Sequence, residues 1–373
     1  MTATDHRVYL DWNATAPLRP EAKAAMLAAM DAVGNPSSVH AEGRAARAVV
    51  EKARGQVAAL VGCEPGEVVF TSGATEAAAT AVAAHRGDLH VAPTAHECLV
   101  ALIDGGRAAA LPVGGDGRVA RERLETVVEP GSLVCVSWAC GETGAVESGM
   151  LWRQCLDHRA ILLRDAAQAA GKLPVDAAAP WSDMVILSSG KLGGPTGCGA
   201  LILRDRCSFS PLMQGGGQER GRRAGTENVI GIAGFGAAAE AARRELEAGV
   251  WERIARMRDA LEARLEAAAS DLVIPGRAGP RLPNTTCLAV PGWAGETQVM
   301  GLDLAGFAVS AGSACSSGKV KRASRVLLAM GFDETTASSA IRVSMGPATT
   351  EAEVMAFADA WEGLYRRRVS RAA

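Results

Sequence analysis

Phe70-Thr71-Ser72-Gly73-Ala74-Thr75-Glu76 reads as the end of a buried strand, a turn of small residues and the first turn of a helix. The same strand-then-helix order recurs on both sides of it. Apolar runs at Glu67–Phe70, Leu89–Ala92, Leu133–Val136, Ala160–Leu163, Met184–Leu187 and Gly199–Leu203 read as strands buried on both faces. Ala-rich stretches at Glu21–Met30, Arg44–Leu60 and Thr75–His85 read as helices. Such alternation predicts an α/β domain built on a mainly parallel sheet. A long helical stretch from about Gly231 to Ala268 then leads into a second, smaller domain. A Gly/Pro-rich connector (275–283), a strand-like run Thr286–Val290, a small-residue loop and a final helix ending in Arg366-Arg367-Arg368 complete the chain.

The composition excludes several classes. Of 373 residues, 48% are hydrophobic and 21% charged, ordinary for a globular protein and unlike a disordered or fibrous one. A formal net charge of -2 gives no reason to expect direct nucleic-acid binding or an anionic membrane surface as partner. No apolar run reaches the roughly 18–20 residues that span a bilayer. Met1–Arg7 lacks the apolar core of a signal peptide, so a cytoplasmic location is expected. The nine cysteines, an odd number with no Cys-x-x-Cys pair, fit neither a disulfide framework nor a zinc site. No metal is expected. Only six lysines stand against thirty-three arginines, which leaves lysine chemistry few candidates.

Three strand ends carry chemically useful groups. At Thr71–Glu76, backbone N–H groups and hydroxyls at a helix N-terminus can bind a phosphate, although a βα turn with a threonine cap is the plainer reading of that stretch alone. Asp165, in Arg164-Asp165-Ala166-Ala167-Gln168, follows the strand Ala160–Leu163 and faces the crevice where α/β sheets bind ligands. Lys191 follows the strand Met184–Leu187 between Gly190 and Gly193-Gly194-Pro195. A phosphate cradle, an acid and a lysine are together what pyridoxal 5'-phosphate requires. The acid keeps the pyridine nitrogen protonated, and the lysine forms the Schiff base.

Longer stretches carry a resemblance to a known family. They are Tyr9–Pro17, Gly34–His40, Thr71–Glu76, Gly171–Asp176, Gly215–Asn228, Gly312–Gly318 and Ile341–Gly346. Through them nearly the whole chain resembles the cysteine desulfurases of the class V aminotransferase group, which have the fold type I pyridoxal-phosphate architecture. The resemblance implies a large domain (15–247) with a mainly parallel seven-stranded sheet between helices. It also implies a smaller α+β domain (1–14 and 248–373) carrying a mobile Cys315 loop. It implies that Ala74 and Thr75 cradle the phosphate with Ser188 assisting, and that His96 stacks on the ring and moves protons. Asp165 would pair with the pyridine nitrogen, Gln168 with the phenolic oxygen, and Lys191 would bond the cofactor. Thr226 would reach the phosphate of a neighbouring subunit, making a homodimer. Without the family, the stretch 214–226 reads only as a flexible basic loop. Arg342 and Asn13 would bind the substrate, the guanidinium clamping its carboxylate at two points. An ordinary ion pair is the alternative for Arg342.

The implied reaction converts L-cysteine to L-alanine, leaves a persulfide on Cys315 and passes the sulfur to an acceptor protein for iron–sulfur cluster assembly or tRNA thiolation. Small residues surround Cys315, and nearby Lys319, Lys321 and Arg322 favour its thiolate. The chain departs from the family pattern in four places. Cys140-Gly141-Glu142 stands where Asn-Asn-Glu is usual, Gly190 where a histidine precedes the lysine, Arg164 where a small polar residue or histidine is common, and Ala95 where an acid is expected. Weaker cofactor contacts follow from the first two, with water or Arg164 as a replacement. A selenocysteine lyase, a related lyase or aminotransferase, and a catalytically weakened partner-binding homologue are the alternative readings.

Overall fold

The computed structural model describes residues 7–180, 182–207, 209–312 and 323–372. Cys315, Lys319, Lys321 and Arg322 lie outside the described residues. In chain order the strands are β1 (Val8–Tyr9), β2 (Val68–Thr71), β3 (Leu89–Val91), β4 (Ala109–Ala110), β5 (Leu133–Ser137), β6 (Ile161–Asp165), β7 (Met184–Ser188), β8 (Gly199–Leu203), β9 (Thr285–Ala289), β10 (Phe307–Ala308), β11 (Ser310–Ala311) and β12 (Ala340–Ser344). Seven of them form one sheet in the order β2-β8-β7-β6-β5-β3-β4. It is parallel except at β8, which runs antiparallel to both neighbours. The link from β7 to β8 spans only residues 189–198, too few for a crossover helix that would return the chain parallel.

Side-chain alternation packs both faces of this sheet. Val185, Leu187, Ala200 and Ile202 point to one face, against α1 (Pro20–Met30), α2 (Ala41–Val61) and the helix Val229–Glu247. Met184, Ile186, Leu201 and Leu203 point to the other, against α3 (Ala74–Ala84) and α4 (Glu97–Asp104). The apolar runs are continuous because both faces are buried. All the parallel strands end on one edge, so the turns after β2, β3, β5, β6 and β7 open toward a common crevice.

The long helical stretch is two helices, Val229–Glu247 and Val250–Ala268. Gly249 separates them at φ 70°, a left-handed conformation that glycine adopts at little cost. The second helix packs with the final helix, Glu351–Ala372, on the antiparallel sheet β11-β12-β9. Its core includes Ile254, Leu261, Leu288, Val343 and Trp361. The N-terminal strand β1 joins this part by pairing with β10. The final helix runs past Arg368 to Ala372.

The basic stretch 214–226 is anchored rather than loose. Glu219 is buried, its carboxylate gripped at 2.8 Å by both terminal nitrogens of Arg54 and by the Phe70 N–H. Arg54 also donates to the Val68 carbonyl at 2.7 Å. Glu219 and Arg220 sit at φ 48° and 57°, a strain this pair holds in place. Removing one partner leaves the other charge buried and alone. Arg54→Met is therefore expected to destabilise the protein by about 3–5 kcal/mol in urea unfolding, and adding Glu219→Gln should recover part of that loss. A loss under 1 kcal/mol would show that the pair does not hold the loop.

Candidate active site

A cavity of about 650 Å³ opens at the C-terminal edge of the large sheet. It gathers Asn13, Ala74, His96, Asp165, Gln168, Ser188, Lys191 and Arg342, eight of the residues singled out from the sequence. At one end lies the N-terminus of α3, whose first N–H groups have no partner within the helix. Gly73 caps it, and Gly199 on β8 approaches so closely that a Cβ there would meet the Gly73 backbone at 2.6 Å. Thr75 is exposed on that first turn, with its side chain hydrogen-bonded to Cys98. Thr226 is exposed on its own loop and does not line this cavity.

Asp165 ends β6 and is buried, its Oδ1 accepting the Ala167 N–H at 2.9 Å. Burial pushes its carboxyl above the usual range, opposed by that N–H, by His96 and by Lys191. His96 caps α4, and its Nδ1 accepts the Cys98 N–H at 3.2 Å. The neutral ring then carries its proton on Nε2, the nitrogen left for a ligand. Arg164 faces the other side of the strand. Its guanidinium lies over Trp138 at 4.1 Å and Trp152 at 5.4 Å, and burial lowers its pKa to about 10. It therefore cannot supply the contacts missing at positions 141 and 190, and that expectation is corrected.

Two lysines converge on one asparagine. Lys191, on the turn after β7, donates through Nζ to the carbonyls of Asn13 at 2.8 Å and Ala14 at 2.7 Å. Lys172, given no role by the sequence reading, is buried and donates to Asn13 Oδ1 at 3.0 Å and Gln168 Oε1 at 2.9 Å. Burial pushes its ammonium down to about 7, helped by the charges of Lys191 and Arg342. The signal that could have found it is its position four residues after Gln168 in a chain with six lysines. Asn13, expected at the substrate, has its amide filled by protein groups. Nδ2 donates to Thr285 Oγ1 at 2.8 Å and Gly141 O at 3.1 Å, and Oδ1 accepts from Lys172 and Asn284.

Arg342 pairs with Asp11 at 2.8 Å and donates to Ser310 Oγ and Gly141 O at 3.2 Å each. Its buried Nε meets no acceptor among the described residues. The ion-pair reading of Arg342 therefore holds, and the residue also lines the cavity. Glu142, also given no role by the sequence reading, lines the cavity and accepts from the Ser324 hydroxyl. Gly312 and Ala323 line the cavity too, so the chain between them begins and returns at its wall.

The amino-acid residues match a family as well as a chemistry. Residues 8–357 fit the family described as Aminotransferase class-V. The chain belongs to that family. A cysteine desulfurase of Cereibacter sphaeroides is 42% identical to it over 367 residues, covering 93% of both chains. One of Trichormus azollae is 38% identical over 361 residues, covering 93% of this chain and 90% of the relative. A solved NifS-like protein of Rickettsia africae superposes with a TM-score of 0.89 at 30% identity, covering 97% of this chain and all of that one. Pyridoxal phosphate is the cofactor of this family, and the cavity fits it. A helix N-terminus suits the phosphate, and a pyridinium would set a further positive charge beside buried Asp165. Lys191 offers an amine for the aldehyde, and Arg342 brings a guanidinium to the cavity wall.

The two glycine departures differ in space. Among the described residues a Cβ on Gly190 would meet only Thr196, with Cγ2 at 3.5 Å and Cα at 4.0 Å, whereas one on Gly141 would crowd Gln168 at 3.3 Å. Gly190→His is expected to tighten cofactor binding roughly tenfold, as a hydrogen bond to a charged group allows, and Gly141→Asn to bring no gain. Cofactor titration of the two variants checks this, and equal behaviour would contradict it. Burial also pushes the Glu142 carboxyl from 4.5 up to about 7, against the opposing pull of Ser324 and Arg342. The folded protein holds this proton more tightly than the unfolded chain, so its contribution to stability falls as pH rises from about 4.5 to 7. Glu142→Gln removes that slope. Between pH 5 and pH 8 it should gain about 2–3 kcal/mol on the parent in urea unfolding of the cofactor-free protein. A difference that does not change with pH would be the contrary result.

Proposed function

We propose that this chain is a pyridoxal-phosphate-dependent cysteine desulfurase that moves the sulfur of L-cysteine onto Cys315. The observation that carries the reading is the convergence of α3, Asp165, Lys191 and Arg342 on one cavity, in a chain 42% identical to a cysteine desulfurase. When bound, pyridoxal phosphate draws electrons from the substrate's Cα through its protonated ring. The first turn of α3, with Ala74 and Thr75, holds the phosphate, and Ser188 adds a hydroxyl. Asp165 keeps the ring nitrogen protonated, and Gln168 donates to the phenolic oxygen. Arg342 orients the substrate carboxylate while Asp11, Ser310 and Gly141 hold the guanidinium still. Lys191 Nζ would hold the cofactor through its aldehyde carbon and would carry the Cα proton. His96 Nε2 supplies or accepts the second proton.

The balance needs no outside oxidant. L-cysteine and the Cys315 thiol give L-alanine and the Cys315 persulfide. The thiolate bonds the substrate sulfur, the carbon–sulfur bond breaks, and its electrons remain with the substrate carbon, which takes a proton.

A homodimer is part of this proposal. Thr226 is exposed on an anchored loop, and Gln218 Nε2 on that loop bonds Ser37 Oγ at 3.3 Å. The two segments so joined carry exposed Val39 and lie beside exposed Leu212 and Met213, an apolar edge that a second copy would cover. We assign residues 15–247 to the large part and residues 1–14 with 248–373 to the small part. The sulfur would pass from Cys315 to an acceptor protein serving iron–sulfur assembly or tRNA thiolation in the cytoplasm. No helix among the described residues is long and apolar enough to cross a membrane.

The decisive test follows visible absorption, alanine and protein-bound persulfide after pyridoxal phosphate and then L-cysteine are added. The parent should bind cofactor and form alanine and persulfide. Cys315→Ser should bind cofactor and cysteine as the parent does, with no persulfide. Undiminished sulfide release from Cys315→Ser under a physiological reductant would refute the division between ring chemistry and sulfur attack.

A further inference from the structure

We infer that Lys172 is a positioning residue for the cofactor: it fixes which end of the Gln168 amide faces the cavity, and so makes Gln168 a hydrogen-bond donor there. The inference rests on the reading of the cavity as a pyridoxal-phosphate site. The side-chain oxygen and nitrogen of a glutamine have nearly the same shape, so packing alone barely distinguishes an amide from its flipped form. Hydrogen bonding distinguishes them. In its ammonium form Lys172 Nζ offers only N–H groups to its neighbours, and it reaches Gln168 Oε1 at 2.9 Å and Asn13 Oδ1 at 3.0 Å. Both amide oxygens therefore turn toward the buried amine, and both amide nitrogens turn away from it.

For Gln168, one N–H of Nε2 goes to the Asn13 carbonyl at 2.9 Å, and by donor count the second remains for a ligand in the cavity that Gln168 lines. A phenolic oxygen on the cofactor is an acceptor, so a flipped amide would set oxygen against oxygen. The amine also polarises the amide through its oxygen and strengthens the N–H at the other end. Asn13 is secured independently. Its Oδ1 accepts from Asn284 Nδ2 at 3.1 Å, and Asn284 is held by the Met345 carbonyl at 2.9 Å. Loss of the amine falls mainly on Gln168. Lys172 has no opening to replace Lys191 as the cofactor lysine, since it does not line the cavity.

The test is a double-mutant cycle read by pyridoxal phosphate binding to the cofactor-free protein, followed by fluorescence quenching. Lys172→Met should raise the dissociation constant about tenfold, the worth of one hydrogen bond, in the parent background. In a Gln168→Ala background the same substitution should change it less than twofold. Gln168→Glu keeps an acceptor for Lys172 but has no N–H for the cavity, and should lose about as much affinity as Lys172→Met. It also stands in if Lys172→Met does not fold. An equal loss in both backgrounds would mean a merely structural lysine, and parent-like binding by Gln168→Glu would remove the donor role; either result overturns the inference. Failure of the unmutated protein to bind pyridoxal phosphate would instead overturn the reading of the cavity.

Discussion

One buried asparagine ties the large sheet to the antiparallel sheet beside the cavity. Asn13 lies between the large sheet and the antiparallel sheet, and its backbone and amide make contacts to both. Its N–H reaches Ser344 on β12 at 3.0 Å, and its amide reaches Thr285 on β9. From the other side Lys191, Gln168 and Lys172 all donate to it. A buried polar group is expensive unless every donor and acceptor is paired, and here the pairing partners come from both sheets. The relative placement of Lys191, Gln168 and Arg342 therefore depends on Asn13, although it is not itself a reactive group.

The charges around it follow one rule. Lys172, Lys191 and Arg342 gather in one region, with Asp11, Asp165 and Glu142 as the nearest acids. Burial drives three of these groups toward neutrality: Lys172 down to about 7, Glu142 up to about 7, and Asp165 upward. A cavity of this kind is suited to ligands that bring charge with them. A phosphate, a pyridinium and a carboxylate each meet a complementary group already held in place, so little reorganisation is left for the moment of reaction.

The parts of this arrangement that were legible in the sequence are those governed by local order. Six apolar runs identified six strands of the large sheet because burial on both faces leaves no polar interruption. The turns after them carried Ala74, Asp165 and Lys191. The two-residue strand β4 was not visible, since so short a segment has no period. Nor was the reversal of β8, which depends on the length of the link from β7 rather than on composition. Gly249 hid a helix break inside a continuous helical pattern. Lys172, Glu142 and Asn13's true partners stayed hidden for another reason. Their environments are made by residues more than a hundred positions away, as Asn13 with Thr285 and Glu142 with Ser324 illustrate.

The departures from the family pattern take on a different meaning in that light. The side chain lost at Gly141 would have shared its space with Gln168, and the backbone there has taken on another task. The Gly141 carbonyl accepts from both Asn13 Nδ2 and Arg342, tying the asparagine that holds the lysines to an arginine of the cavity wall. The Gly190 carbonyl likewise accepts the Ala16 N–H at 3.0 Å, clamping the segment that carries Asn13 against the Lys191 turn. Backbone carbonyls are present whatever the side chain, so neither contact is lost when the side chain is. The backbone scaffold around Lys191, Gln168 and Arg342 is therefore kept at both positions, whatever side chain stands there.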